Sequence, residues 1–133
     1  MSDIGSSWSK WSPALLSLLR IVVAFLFMEH GMMKLFGYPG AGDHKVELMS
    51  LMGLAGVLET FGGALILLGL FTRPIAFILS GEMAFAYFMV HVKGGFWPLL
   101  NQGEAAVFYC FVFLYFSAAG GGPYSLDRML RKV

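Results

Sequence analysis

Eight ionisable side chains stand inside otherwise apolar sequence. Arg20, Glu29, His30 and Lys34 fall within residues 20–37, RIVVAFLFMEHGMMKLFG, and Glu59, Glu82, His91 and Glu104 lie in or at the edge of three later apolar segments. Such side chains in an apolar setting suit proton-coupled chemistry on a quinone. Its ring and tail need apolar walls, and each carbonyl needs a donor or a proton relay, because two-electron reduction takes up two protons. In that assignment His30, His91 and Glu59 carry protons as the catalytic groups, and Arg20 or Lys34 holds a carbonyl. Glu82 and Glu104 complete the cofactor-binding surround, and Phe27, Phe85 and Trp97 wall the ring. No covalently bound group is expected.

The same residues admit a second reading, in which the charges satisfy one another and fix helix register. A metal centre has less support. Glu29 and His30 are adjacent, so they diverge on a helix and do not form the Glu-x-x-His repeat of di-iron bundles. Asp43, His44 and Glu47 form a second, weaker grouping in a loop. No metal site is assigned.

The elements that must position these groups are membrane helices. The chain has 133 residues, 58% hydrophobic and 13% charged, with a mean hydropathy of +0.74. A soluble domain of this size has nowhere to hide so much apolar surface. A charged group costs ~3 kcal/mol at the centre of a membrane helix, so those present normally face partners or a wet cavity. The net charge of +1 and the lack of a basic run exclude a nucleic-acid partner. The single cysteine, Cys110, excludes an internal disulfide and any Cys-x-x-Cys redox pair; in an aromatic-rich span it reads as packing. The polar start, MSDIGSSWSKWSP, lacks the pattern of a cleaved signal.

The expected architecture is all-α, a membrane-embedded four-helix bundle forming a single domain over residues 1–133. Its spans are expected at about 13–36, 50–71, 74–92 and 104–120. Trp8 and Trp11 suit the headgroup belt. Gly53, Gly56, Gly62, Gly63 and Gly69 in the second span, and Ala76, Ser80 and Ala84 in the third, allow close helix packing. Thr72, Arg73 and Pro74 read as a tight turn. Four spans place both termini on one side. That side carries Lys10, Arg73, Arg128, Arg131 and Lys132, against Lys45 and Lys93 opposite, which predicts both termini in the cytoplasm. The tail cations read as a membrane-surface anchor.

Depth sharpens the expectation. At ~1.5 Å per residue, Arg20 and Glu82 both lie roughly 12 Å from the cytoplasmic ends, which predicts a guanidinium–carboxylate pair. Glu59 lies at roughly 19 Å, and Glu29, His30, His91 and Glu104 at roughly 25 Å, forming an outer polar layer. Lys34 reads as a side chain that snorkels to the headgroups. Glu29 points about 180° away from Arg20, so it either faces another neighbour such as a second copy of the chain or lies close enough to the surface to reach water.

In order, Arg20, Ala24, Phe27, His30, Gly31 and Lys34–Gly37 are followed by Glu59–Gly63, Leu67, Gly69 and Arg73, then Glu82, Met83, Ala86 and His91. Gly95–Pro98, Asn101–Glu104 and Gly122–Asp127 complete the series. This ordered set resembles the DoxX family of small four-helix membrane proteins, and it spans nearly the whole chain. The resemblance implies a bacterial or archaeal plasma membrane and a quinone-linked role as the membrane subunit of an oxidoreductase complex. Members resemble subunits of a quinol oxidase or of a thiosulfate:quinone oxidoreductase. Because the chain has no electron-carrying motif, a soluble or membrane redox partner would supply electrons. The alternative is a non-catalytic scaffold or chaperone-like protein that recruits partners, as in related four-helix families.

Overall fold

The computed structural model describes residues 4–40 and 47–131, so Asp43 and His44 of the loop grouping lie outside the described residues. Every element among the described residues is helical. A short α1 (Ile4–Ser9) precedes α2 (Ser12–Phe36), whose first turn carries Pro13, a residue whose missing N–H costs nothing there. Gly37 ends α2 in the left-handed conformation, its N–H donating to the Met33 carbonyl. Ser50 caps α3 (Leu51–Val57) through its side chain, which accepts from the Gly53 amide.

A π-helical turn, Leu58–Gly62, separates α3 from α4 (Gly63–Leu68) without breaking the segment. Left-handed Gly69 and Phe71 then reverse the chain into α5 (Thr72–Met89). The turn therefore lies before Thr72; Thr72, Arg73 and Pro74 are already its first helical turn. A 3₁₀ turn (His91–Gly94) and α6 (Pro98–Asn101) lead into α7 (Glu104–Ala119), and α8 (Leu126–Arg131) follows the glycine-rich loop.

Ser12–Phe36, Leu51–Leu68 and Thr72–Gly94 are long and apolar enough to cross a membrane, and Glu104–Ala119 is a shorter apolar helix. They pack in two pairs, α2 on the α3–α4 segment and α5 on α7. Small residues make both pairings possible. A Cβ on Gly31 would sit 2.5 Å from the Thr60 amide nitrogen, and one on Gly63 would sit 2.5 Å from Met28 Cγ. On α5, Ala76 and Ser80 are buried, and the Ser80 hydroxyl donates to the Cys110 carbonyl at 2.7 Å. Cys110 is a free, half-buried thiol in this packing face. Ala24, Phe27, Ile66, Leu79, Phe113 and Phe116 form the core between the pairs. Phe25, Phe77, Phe108 and Phe111 point outward, as a surface solvated by acyl chains requires.

Candidate functional site

Two separate clusters hold the interior charges. The first lies toward the end of the molecule that carries Gly37, Ser50 and His91. There Lys34 Nζ donates to both carboxylate oxygens of Glu59, at 2.7 and 2.8 Å. Lys34 is thus an ion-pair partner and does not snorkel. Both side chains of a helix lean toward its own N-terminus. Lys34 on α2 therefore leans inward, and Glu59, on a segment of opposite direction, leans outward to meet it. The lean of both side chains closes the offset along the bundle that counting residues leaves between them. Glu59 is 1% exposed and sits in the π turn with buried Thr60. An extra residue per turn re-aims side chains there, and π turns recur at functional sites.

Glu82 stands beside this pair, and the charges of Glu59 and Lys34 both act on it. Both of its carboxyl oxygens are buried without a hydrogen-bond partner among the described residues. A buried polar group left so is costly and calls for an explanation. It has one in the adjoining cavity of about 220 Å³, which Glu82, Glu59, Lys34, His30, His91 and Tyr109 line with Phe27 and Met83. One ammonium faces two carboxyl groups there, and the Glu82 carboxyl lies within hydrogen-bonding reach of Glu59, a contact that requires a proton between the two acids.

The histidines sit at the rim. His30 is exposed on α2, with its ring edge-on to Tyr109 at 5.9 Å between centroids. His91 Nδ1 lies 3.3 Å from the Asn101 carbonyl. A carbonyl only accepts, so this contact places the ring proton on Nδ1 and leaves Nε2 free. Asn101 in turn holds the loop: its amide donates to the Gly95 carbonyl at 2.8 Å and the Tyr87 hydroxyl at 3.1 Å, and its oxygen accepts from Gly103 N–H at 2.8 Å. An apolar groove of about 360 Å³ between α3 and α5 adjoins the cavity. Met52, Ala55, Glu82, Ala86 and Val90 line both, and Phe85 and Met89 extend the groove outward.

The second cluster lies at the opposite end and corrects the expected Arg20–Glu82 pair. Arg20, 1% exposed, donates to the carbonyls of Gly121, Leu67 (3.2 Å) and Tyr124 (3.0 Å). The ends of the helices are not flush, because α2 runs about two turns past Gly69 and Gly121, which close on Arg20. Counting from the start of each helix put Arg20 and Glu82 level; in fact Arg20 is level with the turn before α5, and Glu82 lies ten residues further along. Asp127 accepts from the backbone N–H of Phe71 (2.8 Å) and Thr72 (2.9 Å), capping the start of α5. Burial pushes its carboxyl up, but those two amides and the Arg131 charge outweigh it and hold the group below its ordinary value.

Of the sequence-proposed site residues, the structure brings together His30, His91, Glu59, Lys34 and Glu82. Arg20 is in the other cluster, Glu104 is exposed in the first turn of α7, and Trp97 is exposed on the loop outside the cavity. Glu29 is half-buried and acts electrostatically on Tyr109. Tyr109 itself was not singled out by sequence, since the aromatic richness of its span hid the one hydroxyl that reaches the cavity. Among the described residues no three His, Cys, Asp or Glu converge as metal ligands would.

Residues 15–92 match the family described as DoxX. An uncharacterized protein of Haemophilus influenzae is 44% identical over 128 residues, covering 92% of this chain and 96% of the relative. The inner membrane protein YqjF of Escherichia coli is 32% identical, covering 85% of this chain and 89% of its own length. An uncharacterized membrane protein of Mycobacterium tuberculosis is 27% identical, covering 99% and 95%. No solved structure matches the chain significantly.

Proposed function

The chain belongs to the DoxX family and is an integral membrane protein, and on that premise we propose that it binds a quinone or quinol as the membrane subunit of a redox complex. The observation that carries the proposal is Glu82. Its carboxyl is buried and unpartnered in a cavity that continues into an apolar groove. A cavity of roughly 150 Å³ accepts a benzene ring, so about 220 Å³ suits one substituted ring, and the groove suits its hydrocarbon tail. The donor set fits as well: an ammonium, two carboxyl groups, a phenol and two imidazoles around apolar walls.

A bound quinone supplies reversible two-electron chemistry coupled to two protons. The residues of this chain bind and orient it and move the protons. Glu59 fixes Lys34, whose remaining N–H faces the cavity as a carbonyl donor. Glu82 exchanges a hydrogen bond, and a proton, with a ligand oxygen. His30 and His91 stand between that carboxyl and the surface and pass protons outward, with Asn101 holding the His91 tautomer. Electrons come from a partner protein, since no residue set here carries them.

The topology proposed with this role is four spans, the fourth being Glu104–Ala119, with both termini in the cytoplasm. The fourth helix is short for a span, but the loop and α6 flanking it bring the chain to the surface. The cations at the Ser12 end favour that orientation.

The test is solvent extraction of the purified protein, with chromatography and a redox difference spectrum. Near-stoichiometric quinone is expected in the wild type. Glu82→Gln keeps the shape, should change stability by under ~1 kcal/mol because the amide can donate to Glu59 in place of the carboxyl, and should lower quinone retention about tenfold. No quinone retained or rebound by the wild type, with a stoichiometric protein partner instead, would transfer the assignment to a membrane scaffold.

A further inference from the structure

The arginines at the Ser12 end are too many for the carboxylates there. Arg20, Arg73, Arg128 and Arg131 gather around one described acid, Asp127, which is already engaged by two backbone amides. Arg20 is spent on carbonyls, and the Arg131 guanidinium lies over the Phe71 ring at 5.0 Å. Arg73 and Arg128 are exposed, and neither has an ion-pair partner among the described residues. Both line one cavity of about 480 Å³.

That cavity has the shape of a lipid site. It opens between the Ser12 end of α2 and the Ala119 end of α7, beyond the point where Phe27 and Phe113 hold the two helices together. Its walls are Leu15 and Leu19 of α2 and Tyr115 of α7, and its floor is the loop at Gly121 and Gly122. Arg73 is pinned: one guanidinium nitrogen donates to the Ala118 carbonyl, and the group lies against Gly120, where a Cβ would come within 3.1 Å of Nη2. Its remaining N–H groups have no partner among the described residues. Trp8 and Trp11, exposed on the same end, mark the depth of the headgroup belt.

We infer that this cleft binds an anionic phospholipid, with the phosphate held by Arg73 and Arg128 and an acyl chain along Leu15, Leu19 and Tyr115. Guanidinium groups suit a phosphate through paired, charge-assisted hydrogen bonds, and basic pockets between membrane helices select acidic headgroups. The site is independent of the quinone cavity, which lies at the other end.

The experiment is native mass spectrometry of the full chain in detergent doped with equal phosphatidylglycerol and phosphatidylcholine. The wild type should retain phosphatidylglycerol roughly tenfold over phosphatidylcholine. Each arginine contributes roughly fivefold, so Arg128→Gln should weaken retention about that much and Arg73→Gln/Arg128→Gln roughly 25-fold. Lys10→Gln, an equal loss of charge outside the cleft, should leave it unchanged. Arg128 makes no side-chain contact that the fold needs, so its variant decides the matter even if Arg73→Gln folds poorly. Equal retention of the two lipids, equal losses in Arg128→Gln and Lys10→Gln, or displacement of the lipid by millimolar inorganic phosphate would each overturn the assignment.

Discussion

Arg20 and Glu59 are equally buried, each 1% exposed, yet their surroundings differ in kind. Arg20 is met by three carbonyls, from the end of α4 and the loop before α8, which leave only its Nε without a partner among the described residues. The glycines around it crowd it: a Cβ on Gly69 or Gly121 would lie within 3.1 Å of its guanidinium. Glu59 is met by the Lys34 ammonium, and beside the two of them stands a second carboxyl that no donor group satisfies, with a space in front of it. A closed charge holds loops together. An open one is available to a ligand, and burial alone does not distinguish the two.

The largest break in this comparison should come from Arg20→Met. It leaves the Leu67 and Tyr124 carbonyls without their donor, at ~1–3 kcal/mol each for bonds to a charged group, while Gly121 keeps the Ser17 hydroxyl; the expected destabilisation is roughly 4 kcal/mol. Unfolding in detergent measures it. The fraction that remains folded should bind quinone normally, and a selective loss of quinone would mean that the two clusters are coupled.

Lys34→Met should cost less, about 2 kcal/mol, because the lysine is partly exposed, but it strands Glu59 beside Glu82. Adding Glu59→Gln should recover most of the stability and none of the ligand retention. If the double variant is no more stable than Lys34→Met, the pair is not what the lysine contributes.

Asp127→Asn should have the smallest effect, about 1 kcal/mol, as the loss of a helix cap. Its pH dependence is the sharper readout. Because the folded carboxyl titrates below its ordinary value of 3.8, its contribution is complete above about pH 4 and is lost as the pH falls through the lowered value. The wild type should lose its advantage over Asp127→Asn as the pH falls below about 4, and a constant difference there would remove the carboxylate's charge from the account.

Much of the scaffold was legible in the sequence because it rests on residue types. Apolar runs gave the long helices, and Gly31, Gly63, Ala76 and Ser80 stand where helices touch. Depth and the cost of placing charge in lipid bring His30, His91 and Glu59 into one layer, but the same count set Glu82 beside Arg20 and Lys34 at the surface. What escaped is written in backbone geometry. The acceptors of Arg20 are carbonyls, which every residue has, so no letter marks them. The π turn at Leu58–Gly62 has no compositional signal, and it alters which way Glu59 faces. Phase counted at 100° per residue also ignores how far a lysine leans along its helix, which is why Lys34 was taken for a surface group.

The bonds of Arg20 also impose an order in time. Its acceptors at Gly121 and Tyr124 lie 101 and 104 residues downstream. At ~5–20 residues per second of synthesis, the ribosome makes them roughly 5–20 s after the arginine. α2 therefore enters the bilayer with a guanidinium whose partners do not yet exist, and the nascent chain must keep that group hydrated until they arrive. Its place two turns from the end of the helix, near headgroup water, is what makes the wait survivable.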